Sequence, residues 1–94
     1  MYIYLLEIKF TIDDAFSLKD RRKISRSILD YARKNLNISA ADLSADEIRN
    51  LAHLAFVSLS NDNEIAKNIL ENLFRKIDST YPINICQYEI NRIY

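Results

Sequence analysis

Residues 17–35 hold seven cations, Lys19, Arg21, Arg22, Lys23, Arg26, Arg33 and Lys34, against two acids, Asp20 and Asp30. Side chains of this kind grip phosphate, arginine as a planar fork and lysine as a point charge. Lys19, Arg21, Arg22 and Lys23 crowd the first turns of a helix. With Arg26 they form the candidate anion- or nucleic-acid-binding group. Their placement opposes the helix dipole, whose N-terminus already carries about half a positive charge. A bound polyanion would offset that cost. The competing expectation is a solvated helix face whose cations pair with carboxylates such as Asp20, Asp30, Asp13 or Asp14. The whole chain carries 13 Lys/Arg and 13 Asp/Glu, a formal net charge of zero, which argues against general coating of a polyanion and leaves room for a local patch.

Other chemistry has little to work with. His53 is the one histidine, Cys86 the one cysteine, and there is no glycine. Without glycine there is no phosphate-cradling loop and no dinucleotide fingerprint. One cysteine excludes an internal disulfide framework and a cysteine-based zinc site. The carboxylates Asp13, Asp14, Asp42 and Glu89 form no spacing that catalysis requires. No catalytic residue, metal-ligand set or cofactor is therefore assigned, and the expectation is a protein that is not an enzyme. Cys86 falls in a strand and is expected to be a small buried hydrophobe. Turns must use Asn and Asp, which tolerate left-handed backbone, at Asp13-Asp14, Asn35 to Asn37 and Ser60 to Asn63.

The elements that position these residues follow from periodicity. Tyr4, Leu6, Ile8, Phe10 and Ile12 alternate with a less apolar set over residues 2–12, which predicts a strand. A loop at Asp13 to Phe16 follows. Ser17 and Asp20 resemble a capping box, so the first helix is expected to start there. Ile24, Ile28, Tyr31 and Ala32 give its buried stripe, and Asn35 or Asn37 its end. A short strand is expected over Ile38 to Leu43, then a polar connection at Ser44 to Asn50. Leu51 to Leu59 is apolar on both faces, as in a central strand. The second helix opens at Asn61 or Asp62. Ile65, Ala66, Ile69, Leu70, Leu73, Phe74 and Ile77 form its wide apolar stripe, with Arg75 and Lys76 in its last turn. A turn at Ser79 to Pro82 leads to a final strand over Ile83 to Tyr94. Its apolar parity shifts from Ile83 and Ile85 to Cys86, Tyr88 and Ile90, which predicts a bulge near Cys86.

The order β-α-β-β-α-β over one 94-residue domain is the α+β, ferredoxin-like arrangement: four antiparallel strands with two helices on one face. The other sheet face would be open and would carry Ile3, Leu5 and one parity of the third strand. Such a face asks for a partner, whether a second copy, a protein or a nucleic acid, and a homodimer through it or through an edge strand is the expected assembly. Ala55-Phe56-Val57-Ser58-Leu59 and Ile3-Tyr4-Leu5-Leu6 resemble the two strand signatures of the RNA-recognition motif. The basic residue, glycine and aromatic that lead that signature are replaced by Ala52-His53-Leu54. Phe56 would then be the one aromatic on the open face. No apolar run reaches the ~20 residues of a membrane span and no leader is evident, which favours the cytoplasm.

Ser17-Leu18-Lys19-Asp20-Arg21-Arg22, opening a helix after an apolar strand, resembles the S-L-K-E-K-R motif of the small bacterial YlxP-like proteins, a family of unknown function. Asn37-Ile38-Ser39-Ala40-Ala41-Asp42-Leu43 is similar to that family's N-V-S-V-A-E-V strand. Ser60-Asn61-Asp62 matches its S-N-D before the second helix, and Tyr88-Glu89-Ile90 its closing strand. Glu47-Ile48-Arg49-Asn50-Leu51 lacks the tryptophan that the family often carries there. The resemblance implies a ferredoxin-like fold. The family's genes commonly lie near those for translation initiation and ribosome maturation factors, which points to ribosomal RNA or a ribosomal subunit as partner. The alternative is a homodimerising or protein-interaction module with no nucleic-acid role.

Overall fold

The computed structural model describes residues 1–12, 18–48 and 50–94. The element order is β1 (Tyr2–Thr11), α1 (Leu18–Asn35), β2 (Ile38–Asp42), β3 (Leu51–Ser60), α2 (Asn63–Thr80) and β4 (Asn84–Arg92). The strands form one antiparallel sheet in the order β2-β3-β1-β4, so the two most apolar strands are central, as their sequences predict.

Register follows from hydrophobic parity. Tyr4, Leu6, Ile8 and Phe10 stand opposite Ser58, Phe56, Leu54 and Ala52, and all eight are buried. A slip of one residue would move this whole set to the other face. Both helices cover that one face. Ile28, Leu29 and Ala32 of α1 and Ala66, Leu70, Leu73 and Ile77 of α2 join the strands in a single core. Ser58 sits within it, its hydroxyl donating to the Ala66 carbonyl at 2.6 Å and so tying β3 to the first turn of α2.

Helix α2 starts as expected. Asp62 is its cap, with Oδ1 accepting the Ile65 N–H at 3.0 Å. The helix continues to Thr80, through the first two residues of the turn expected at Ser79 to Pro82, so Arg75 and Lys76 are not in its last turn. The bulge also falls where parity predicts it. Lys9 pairs with Gln87 and Phe10 with Ile85, which leaves Cys86 as the extra residue. Cys86 is exposed rather than buried, because a bulge on an edge strand gives its residue no opposing core.

Two further expectations are corrected. No described residue has a positive φ, so the turns at Asn35 to Asn37 and Ser60 to Asn63 do not use left-handed backbone. Asn35 instead closes the helix through its side chain, donating from Nδ2 to the Tyr31 carbonyl at 2.9 Å. Phe56 is fully buried among the helices, so it is not on the open face and no base can stack on it. The loop at Asp13 to Phe16 and the Ser17 cap lie outside the described residues. Among the described residues, no helix is long and apolar enough to cross a membrane.

Candidate functional site

The five candidate cations divide into two faces of α1. Lys19, Arg22, Lys23 and Arg26 follow the spacing i, i+3, i+4, i+7, which stacks them on one side of a helix. That side is outward: all four are exposed. Lys19, Lys23 and Arg26 make no ion pair with any described residue. With Leu18, Asp20 and Arg22 they line an open hollow along the first half of the helix.

Arg21 is not part of that face, and its place in the candidate group is corrected. It lies seven residues before Ile28 and eleven before Ala32, on the stripe that packs against the sheet. Its side chain is only 1% exposed. Nη1 donates to the carbonyls of Ile48 (2.8 Å), Leu51 (3.1 Å) and Ala45 (3.3 Å), and Nη2 to Asp46 Oδ1 at 2.9 Å. A buried guanidinium requires such partners, because its desolvation is otherwise uncompensated. Arg21 therefore fastens the β2–β3 connection to α1. Turns within that connection present the carbonyls: Ile48 N–H bonds Ala45 O at 3.1 Å and Leu51 N–H bonds Ile48 O at 3.3 Å.

Asp46 is the acid that sequence reasoning missed. Its Oδ1 takes Arg21 and its Oδ2 takes Arg22. The Arg22 and Arg21 guanidiniums hold its carboxyl below the ordinary value of 3.8, with Arg22 the larger cause. Nothing in local spacing marks this pair, which spans 24 residues between Arg22 and Asp46. The signal for Arg21 was present, in its phase with Ile28 and Ala32.

Farther along α1, Arg33 donates to the Ala40 carbonyl at 2.7 Å, bracing the helix against β2. Arg22, Arg26, Leu29, Arg33 and Asp42 line a second open hollow there. The basic surface is thus continuous from Lys19 to Arg33 along one side of the helix.

The helix-free sheet face is divided. One end carries Ile3, Leu5, Val57 and Leu59; the other carries Glu7, Lys9, His53, Gln87 and Glu89. His53 Nε2 and Glu7 Oε1 are 3.3 Å apart, while Glu7 and Glu89 stand directly opposite each other. Among the described residues no group of three or more His, Cys, Asp or Glu is placed to hold a metal ion.

The strand order and helix placement define a ferredoxin-like α+β domain. Residues 3–90 match the family described as "Protein of unknown function (DUF503)", and the chain belongs to that family. No curated protein matches the chain.

Proposed function

We propose that this protein is a small cytoplasmic RNA- or ribosome-associated module that lays the outward side of α1 along a phosphate backbone. The observation that carries the reading is the stripe Lys19, Arg22, Lys23, Arg26, exposed at one-face spacing on a chain of zero net charge. Phosphate contacts of this kind give affinity and register but little sequence choice. Arg21 acts from beneath, by holding the neighbouring loop. The resemblance of the Ser17 to Arg22 block to the YlxP-like proteins supports the ribosomal direction. Co-sedimentation with ribosomal subunits at two salt concentrations tests it: binding at low salt that is lost at high salt is expected, and no salt-sensitive binding rejects it.

A second reading is a homodimer. The apolar end of the open face, Ile3, Leu5, Val57 and Leu59, favours it, Leu59 being half exposed. It is compatible with the first, since pairing through the sheet would leave both α1 helices outward. Light scattering separates the cases: a clean monomer at about tens of micromolar, a range in which specific interfaces persist, removes it.

A further inference from the structure

We infer that Asp46 is a built-in competitor for the polyanion, a carboxylate seated on Arg22 where a phosphate would otherwise sit. The inference rests on the proposed role of the α1 face and adds a regulatory element to it. Carboxylate and phosphate oxygens present the same acceptor geometry to a guanidinium, so one can substitute for the other. Asp46 makes this substitution possible because its two oxygens do different jobs. Oδ1 is committed to Arg21, whose side chain is 1% exposed and whose other bonds go to the carbonyls of Ala45, Ile48 and Leu51. Oδ2 reaches Arg22, and that pair is open to water, with 51% of the Arg22 side chain and 58% of the Asp46 side chain exposed.

An exposed ion pair is weak and exchanges readily, whereas the buried Arg21 guanidinium is held by three carbonyls besides Asp46. Arg22 can therefore leave Asp46 for a phosphate while Arg21 keeps the loop and its carboxylate in place. The freed carboxylate then lies beside the bound polyanion and repels it. Asp46 thereby lowers affinity for every polyanion. It also makes Arg22 contribute less than its neighbours Lys23 and Arg26, which have no such partner among the described residues.

Asp46→Asn is the informative variant, because its amide oxygen still accepts from Arg21 while its charge is gone. Fluorescence anisotropy with a labelled RNA hairpin, repeated across salt concentrations, gives affinity and salt slope. Relative to the unchanged protein, Asp46→Asn is expected to bind about two- to five-fold tighter and to steepen the slope by about one, the effect of one more neutralised phosphate. Glu47→Gln removes one charge from the same turn without touching Arg22 and is expected to do less. The gain should shrink when Arg22→Gln is added. Arg22→Gln alone, which leaves Arg21 and Asp46 together, should weaken binding less than Arg26→Gln.

Equal or weaker binding by Asp46→Asn, or a larger loss from Arg22→Gln than from Arg26→Gln, overturns the competitor role while leaving the basic face standing. Should the unchanged protein show no salt-dependent binding to the hairpin, both fall. Circular dichroism on each variant confirms that folded protein is being compared; if Asp46→Asn does not fold, the ranking of Arg22→Gln against Arg26→Gln decides alone.

Discussion

Arg21 and Arg22 are adjacent in the chain, yet one guanidinium is buried and the other half exposed, and a single Asp46 carboxylate holds both. One helical step of about 100° separates a residue that builds the fold from one that faces solvent. The two should therefore respond differently to loss. Arg21→Met removes four donor contacts from three carbonyls and a carboxylate and is expected to destabilise by about 2–4 kcal/mol. Arg22→Gln is expected to stay within about 0.5 kcal/mol of the unchanged protein. Urea unfolding measures both, and equal costs would contradict the assignment.

Asp46 links this contact to acidity. Its folded carboxyl titrates below 3.8, so the stability it contributes is fully present above that value. It is lost as pH falls through the depressed folded value. Unfolding curves of the unchanged protein and Asp46→Asn should accordingly differ at neutral pH and converge in strong acid. A gap that persists at the lowest pH would mean that shape, not charge, separates them.

Phe56 belongs to the core. Its truncation to Ala is expected to cost about 3–5 kcal/mol. Phe56→Leu, which keeps most of the volume, should leave RNA affinity unchanged, because the ring faces the helices. A fall in affinity without a fall in stability would return Phe56 to a stacking role.

Cys86 should react with a thiol reagent in the native state at the rate of an accessible side chain, since the bulge turns it outward on edge strand β4. Protection that appears on raising the protein concentration would indicate pairing of copies through β4. Protection that does not vary with concentration would contradict the bulge geometry.

The fold was largely legible because parity and helical period report the same core from two directions. The alternation of Tyr4, Leu6, Ile8 and Phe10 locates β1's buried face, and the parity change after Ile85 marks the bulge in the sequence itself. The site was legible only as a cluster. Its charges could be counted, but whether an arginine faces water depends on its phase with Ile28 and Ala32, and polar residues such as Arg21 and Ser25, which share the buried face of α1, do not show in an apolar pattern. Asp46 was beyond local reasoning because its partners arrive through the folding of the β2–β3 connection over α1. Phe56 was misplaced because Leu51 to Leu59 is apolar on both faces, so parity does not choose its side and the motif resemblance set the expectation.

The central claim is that the solvent-facing cations of α1, and not the helix as a whole, hold a phosphate backbone. Anisotropy of a structured RNA with the unchanged protein and with the double variant Lys23→Gln, Arg26→Gln, at salt from about 50 to 200 mM, tests it most directly. The account predicts salt-sensitive binding whose slope falls by about two in the double variant, with stability unchanged. Identical slopes for the two proteins would contradict it.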